Sequence, residues 1–522
     1  MRRKSAKRVL DIVYVSIINL TKATDGAKTV HALGIAAIWL ATCLPLPLLA
    51  QSLWIDEASS IWFARLSLGD LLLHLCDPHP PGYYLLLKGW LTLGETEHWV
   101  RALSLFASVL AVALTARAAY HISGARAGVL SALLLSTFPL QSWYAAEARM
   151  YTLVQALGVS LLILAWRLLF WRGGDLGAVP ARRWAIAGFW LLAVAALVID
   201  ISALMPYIVL QLWWLARGRP HASRWVRLQI AVLIPVMIGW SIWQVGADTY
   251  QPIFVAIQAR RLGVPLEPRS AAQLLLVFAT AVGLLSLAIA WRLSDEKSHL
   301  RRLTASPGMA YLLVVIWLLL LMFSAVPRLF SLKRLLVVLL PHLTLLLASR
   351  LSPFRARVKW GLIALNLVVM LWMLMSFQRE PWRQVVATLS RASTGRPVIV
   401  WVDDLAVPAF DYYYRRMSLN PTNIVWAPLR GSDLPALPSL IPPSGGDLWV
   451  VLIENPYRNL SVFLPAEFHQ KYQLLDEHHF PGVAVQHYRR LSQPLTLFPL
   501  LPEPSPEALW GLQLPSPFVS CR

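Results

Sequence analysis

Apolar stretches of about 17–25 residues recur along the whole chain, each long enough to cross a hydrocarbon core about 30 Å thick. They lie near 30–50, 100–120, 125–142, 150–170, 184–200, 201–216, 226–246, 271–291, 308–327, 334–350 and 359–377. This spacing predicts about eleven transmembrane helices. The adjacent pair 184–200 and 201–216 requires a tight turn around Asp200. A soluble chain would carry roughly 25% charged residues. Here, of 522 residues, 14% are charged and 57% hydrophobic. The expected fold class is therefore a polytopic α-helical membrane protein.

The net charge of +20 does not point to nucleic acid, because the cations are not gathered on one soluble module. They occupy short loops between spans, as the positive-inside rule expects. Arg2, Arg3, Lys4, Lys7 and Arg8 share a face with Arg172, Arg182, Arg183, Arg217 and Arg219 if the spans alternate. Arg292, Lys297, Arg301, Arg302, Arg350, Arg355, Arg357 and Lys359 fall on that face as well. It is assigned to the cytoplasm, which places the N-terminus inside and residues after about 378 outside an inner (plasma) membrane.

The N-terminal MRRKSAKRVLDIVYVSIINLTKATDG is basic and then briefly apolar, the order of a signal peptide. Its apolar core is short, a small-residue cleavage site is not evident and another span follows at once. Residues 1–29 read as a cytoplasmic or interfacial segment, and 30–377 as the transmembrane domain with an outer loop at 51–99. Beyond 378 the long apolar runs stop. RPVIVWVDD (396–404) and DLWVVLIEN (447–455) are strand-like, and LAVPAFDYYYRR (405–416) between them has helical spacing. Residues 378–492 are thus a small extracytoplasmic α/β domain, followed by a Pro-rich tail at 493–522. Cys43 falls inside the first span, and Cys76 with Cys521 leaves one disulfide open in an oxidising compartment. No Cys/His spacing typical of a metal site occurs.

The outer loop opens with LPLLAQSLWIDEASSIWFARL, which sets Asp56 and Glu57 beside the first span. Long loops in compact proteins are usually functional. Further along come Asp77, His79, Tyr83 and Lys88 in DPHPPGYYLLLKGW, then Arg101 in HWVRALS. SWYAAEARMYTL (142–153) adds Glu147, Arg149 and Tyr151, and later outer segments add Arg260, Arg261, Arg269, Arg328, Lys333 and Arg334. Each has an ordinary explanation: solvated span ends, snorkelling arginines, aromatic interface anchors. Arginines on the outer face nevertheless run against the topology rule and need another reason to be there. A sugar linked through phosphate to a membrane lipid supplies one. Transfer to a hydroxyl needs a base at the attacking oxygen. The departing phosphate has a second pKa of about 6 and needs no proton. It needs positive charge. One carboxylate with several arginines suits that reaction better than the carboxylate pair of most glycosidases.

WIDEAS, DPHPPGYYLLLKGW, the Arg and Ser of VRALS, and SWYAAEARMY together resemble bacterial members of glycosyltransferase family 39. That group has the GT-C membrane fold and is similar to dolichyl-phosphate-mannose protein mannosyltransferases and lipid A aminoarabinose transferases. The resemblance runs through the first six spans, continues more weakly through SLKRLLVVLLPHL (331–343), and returns in REPWRQVVATLSR (379–391) followed by FDYYYR. It implies a GT-C-like enzyme that uses a polyprenyl-phosphate-linked sugar, with Asp56 as base and Glu57 supporting it. Arg101, Arg149, Arg334 and Lys88 are implied for the lipid phosphate, and Glu147 would orient Arg149. His79, Tyr83 and Tyr151 would shape the loop or face the acceptor. The implied reaction is a single displacement with inversion. Two departures stand out: Arg334-Leu335 replaces the family's Arg-Tyr, and Asp200 stands where relatives often have His. Relatives differ over a divalent cation, and the sequence leaves that open, as it does the acceptor (protein, glycan or lipid). The rival readings are a transporter or lipid flippase, which calls for internal repeats and mid-span charge, and a non-enzymatic envelope assembly factor.

Overall fold

A computed structural model describes residues 25–73, 75, 77, 79–170, 179–203, 206, 332–351, 356–376, 378–393, 398–403, 405–416, 424–429, 447–455, 458–459, 468 and 472–491. The spans expected near 226–246, 271–291 and 308–327, most of 201–216, residues 1–24 and the tail lie outside the described residues. So do Cys76, Cys521, Arg260, Arg261, Arg269, Arg328 and the side chain of Arg334.

The helices are α1 (Asp25–Cys43), α2 (Leu46–Leu49), α3 (Ile55–Arg65), α4 (Leu68–Leu73), α5 (Gly82–Leu91), α6 (Glu97–Ser123) and α7 (Ala125–Thr137). They continue as α8 (Pro139–Ala145), α9 (Tyr151–Phe170), α10 (Val179–Ile199), α11 (Leu332–Leu351), α12 (Ala356–Ser376), α13 (Trp382–Ala392) and α14 (Val407–Arg416). The strands are β1 (Val398–Asp403), β2 (Ile424–Leu429), β3 (Asp447–Asn455), β4 (Arg458–Asn459), β5 (Tyr472–Phe480) and β6 (Val483–Arg490). They fold as two compact units, one from described residues in 25–50, 79–206 and 332–376, the other from 51–77 and 378–491.

In the first unit, Lys28–Leu49, Glu97–Ser123 and Ala356–Ser376 are long and apolar enough to cross a membrane by length and composition. Ala125–Thr137, Tyr151–Trp166, Trp184–Ile199 and Leu336–Leu351 are shorter apolar helices. The expected span 125–142 is split: α7 stops before Pro139, whose ring keeps Phe138 extended, and α8 starts anew. α6 turns into α7 at Gly124, whose φ of +88° with ψ of 177° is a backbone conformation open essentially only to glycine. A Cβ on Gly128 would lie 2.9 Å from the carbonyl of Ala116, so the small residue sets how closely these helices pack.

A polar junction lies within this apolar packing. Pro341 sits inside α11 and has no N–H to give the carbonyl of Val337. Gln155 on α9 supplies the missing donor through Nε2. Its amide also forms a reciprocal pair with Gln141 on α8, at 2.8 and 2.9 Å, and Gln141 donates to Ser108 of α6 at 2.8 Å. Four helices are thereby joined around a carbonyl that lipid could not satisfy.

The second unit is built on a six-stranded sheet in the order β2-β1-β3-β6-β5, with β4 paired to β3. β1 runs parallel to β2 and β3, whereas β3, β6 and β5 are antiparallel. Central β1 is buried along nearly its whole length, and edge strand β5 is mostly exposed. α13 buries Trp382, Val385, Val386 and Leu389, one apolar stripe at helical spacing. The strands read near 396–404 and 447–455 and the helix read at 405–416 are present as β1, β3 and α14. β2 and the β5–β6 hairpin were not legible. The segment 51–99, expected as a loop, is largely helical: Asp56 and Glu57 sit in the first turn of α3 and Arg65 in its last, the charge order that a helix favours.

Replacing Gln155 with Leu strips Val337 and Gln141 of buried partners and is expected to cost about 2–3 kcal/mol. Pro341→Ala returns an N–H to Val337, so the double variant should lose roughly 1 kcal/mol less than the two single effects summed. Unfolding in mixed micelles measures this; strict additivity would contradict the assignment.

Candidate functional site

In the second unit Asp56 is the second residue of α3 and Glu57 the third. Glu57 is fully buried. Its Oε2 accepts the N–H of Trp54 at 3.2 Å and an Nη1–H of Arg379 at 3.2 Å, both ionic partners being out of solvent. The Trp54 bond is one half of a capping box. A carboxylate removed from water this completely requires such a partner. Glu380, the next residue after Arg379, accepts the N–H of Ile55 at 3.2 Å and the indole N–H of Trp382 at 2.7 Å, both at Oε2. Two backbone donors that a helix start leaves orphaned are therefore taken by two acids. Asp56, next to Glu57 on α3 and half-buried, accepts the hydroxyl of Ser60 at its backbone carbonyl at 2.9 Å.

Burial pushes the Glu380 carboxyl up to about 7, and the charges of Asp56 and Glu57 push in the same direction against the two hydrogen bonds. Glu380 is thus only partly charged at neutral pH.

In the first unit His79 Nδ1 lies 2.6 Å from Asp200 Oδ2, with Asp200 buried. Asp200 follows the end of α10, and its Oδ1 accepts the N–H of Ser202 at 2.7 Å, which closes the turn into the short 3-10 segment Ile201–Ala203. The tight turn expected at Asp200 is present. Gly82 opens α5 directly beneath this: a Cβ there would stand 2.4 Å from the carbonyl of Val198, so only glycine allows α5 to meet α10. Tyr151 meets the His79 ring edge-on at 6.4 Å and the Tyr144 ring at 5.0 Å. Tyr83 is buried against Tyr84, ring to ring at 5.8 Å.

Arg149 is buried, and its Nη1 lies 3.5 Å from the Tyr84 hydroxyl. Its carbonyl accepts from Ser104 at 3.0 Å, and its N–H reaches the carbonyl of Glu147 at 2.7 Å. Arg101, with no exposed surface, donates to the carbonyl of Leu49 at 2.8 Å and so ties α6 to the end of α2. Glu147 is buried and Lys88 half-buried. The structure brings His79, Tyr151 and Asp200 together, and Arg149 with Tyr84. Arg101 is engaged with main chain. Sequence reasoning passed over Arg379, Glu380 and Tyr413 as functional; their one signal is the Arg-Glu pair of REPW, placed where the apolar runs end. Among the described residues, no group of three or more His, Cys, Asp or Glu is placed to hold a metal ion.

No family model matches the chain, and no curated protein matches it. Among solved structures it is similar to two crystal structures of ArnT from Cupriavidus metallidurans, one bound to undecaprenyl phosphate and one in the apo state. Each has 15% identity and a TM-score of 0.48, covering 89% of this chain and 98% of ArnT.

An acid whose folded pKa exceeds its unfolded value of 4.5 gives stability that is complete below that value and lost as pH rises through about 7. Glu380→Gln should remove this dependence. The parent is expected to lose about 1–3 kcal/mol over that interval relative to the variant, read as unfolding midpoints against pH. Parallel profiles would contradict it.

Proposed function

We propose that the chain is an integral membrane glycosyltransferase of GT-C type, moving a sugar from a polyprenyl-phosphate donor to an acceptor hydroxyl on the extracytoplasmic side. The observation that carries this reading is the division of roles among three neighbouring acids. Glu57 is bound to Arg379 and to the start of α3, and Glu380 to Ile55 and Trp382. Asp56 keeps part of its surface open at the first turn of the same helix. It is the acid suited to take a proton from a substrate.

In this reading Asp56 accepts the proton of the acceptor hydroxyl as that oxygen attacks the anomeric carbon from the face opposite the phosphate. The glycosidic bond forms as the bond to phosphate breaks, inverting the configuration. The lipid phosphate leaves as a dianion and needs no general acid. Positive charge stabilises it as it forms. Arg149, which offers an Nη1 to the Tyr84 hydroxyl at a long 3.5 Å, is the first candidate for that role. Arg101, Arg334 and Lys88 are the further candidates. His79 held by Asp200, with Tyr151 across its ring, would shape the acceptor side. The protein would reside in the inner membrane with its N-terminus cytoplasmic and residues after 378 outside.

Membranes incubated with a panel of radiolabelled lipid-linked sugars should transfer one label. Asp56→Asn should lower turnover of that donor by about 100- to 10,000-fold with the protein still folded. Near-parental turnover would remove Asp56 as base, and movement of donor lipid across the bilayer without transfer would favour the flippase reading. Arg149→Ala is expected to weaken donor binding at least tenfold and acceptor binding less; equal donor titrations for variant and parent would contradict its assignment.

A further inference from the structure

Every residue but two from Gln51 to Glu57 is hydrogen-bonded through one named atom to a short stretch more than 300 residues later. Gln51 Oε1 accepts the N–H of Arg379 at 3.2 Å, and Ser52 Oγ lies 3.5 Å from the N–H of Arg383. The N–H of Leu53 donates to the Tyr413 hydroxyl at 2.7 Å, in a buried setting. The N–H of Ile55 goes to Glu380 and the Glu57 carboxylate to Arg379, each at 3.2 Å. The clamping side chains are themselves fixed. Trp382 is fully buried and holds Glu380 through its indole. Glu380 also backs onto the β5–β6 turn, where a Cβ on Gly482 would come within 3.1 Å of its Cγ. Tyr413 is buried on α14, which packs against α3.

Such a set of bonds exceeds what an ordinary loop start requires. A helix N-terminus is usually capped by one nearby side chain. Here two separate elements supply partners, α13 with the segment leading into it and α14, while the β5–β6 turn lies against Glu380. All of them bear on the one turn that carries Asp56. We propose that the Arg379-Glu380-Pro381-Trp382 segment, together with Tyr413, is a positioning device that fixes the direction of Asp56. This rests on the reading of Asp56 as base. The C-terminal sheet is then part of the catalytic loop's support, and its contribution is to turnover and not to acceptor capture. Glu380 and Tyr413 are positioning residues; neither touches the reacting atoms.

Two measurements on the full chain in nanodiscs test this. The first is amide hydrogen exchange of peptides covering 51–60, which needs no substrate. Tyr413→Phe should speed exchange at Leu53, and Glu380→Ala at Ile55, each by about 5- to 10-fold for one lost hydrogen bond. Glu380→Gln, which keeps an acceptor, should recover most of what Glu380→Ala loses. Exchange at parental rates in both Tyr413→Phe and Glu380→Ala would overturn the clamp. If Glu380→Ala fails to fold, Tyr413→Phe decides alone. The second is the kcat and KM split for the transferred sugar. Lower kcat, by about tenfold, with both KM values unchanged is expected; a raised acceptor KM at parental kcat would overturn the positioning role. If the parent transfers no sugar, the glycosyltransferase reading falls by itself, and the exchange data still decide whether the clamp exists.

Discussion

The buried ion pair between Glu57 and Arg379 is the constraint from which the rest of the second unit follows. Its partners are separated by 322 residues in the chain and have almost no exposed surface. Breaking such a pair by removing one partner typically costs about 3–5 kcal/mol, because the other charge stays buried. Residues 51–57 therefore cannot leave the segment at 379–383 without a large penalty. The bonds of Gln51, Leu53 and Ile55 then add direction to what the charge pair holds in place. One residue from Glu57 along α3 is Asp56, whose position is thus a consequence of its neighbour's burial. The arrangement explains why two adjacent acids have unequal fates: one is structural, and the other keeps access to solvent.

The first unit obeys a related rule. Its helices are apolar, and several of the polar groups buried inside them have specific partners. Gln155 completes the carbonyl that Pro341 abandons, Arg101 covers the last carbonyl of α2, and Asp200 joins His79 to the end of α10. Unsatisfied groups of this kind cost several kcal/mol in a medium without water. Ionisable residues in such surroundings are functional candidates by default. Arg101 is tied to main chain at Leu49, and Arg149 lies beside the Tyr84 hydroxyl.

The helices and the central strands could be read in the sequence because both follow periodic rules. A run of twenty apolar residues is unambiguous, and VIVWVD and DLWVVLIEN are too rich in β-branched and aromatic residues to be loops. β5 escaped notice because an exposed edge strand, YQLLDEHHF, has no apolar face to alternate. The helices within 51–99 leave little periodic signal because α3, α4 and α5 are short, with a proline-rich stretch between α4 and α5. In the site, Asp56 stood out by its place beside a span. Arg379, Glu380 and Tyr413 did not, since a hydrogen bond spanning more than 300 residues leaves no trace in spacing. The His79–Asp200 pair was hidden for the same reason, although both residues had drawn notice singly.

In the proposed reaction the side chain at position 56 must meet the reacting centre of a lipid-linked sugar. A cryo-EM structure of the Asp56→Asn protein with its donor bound tests that claim most directly. The substituted amide at position 56 is expected within about 3–5 Å of where the attacking oxygen must stand, on the face of the sugar opposite its phosphate. A sugar bound well away from position 56, or an amide there turned toward bulk solvent with the donor seated elsewhere, would contradict it.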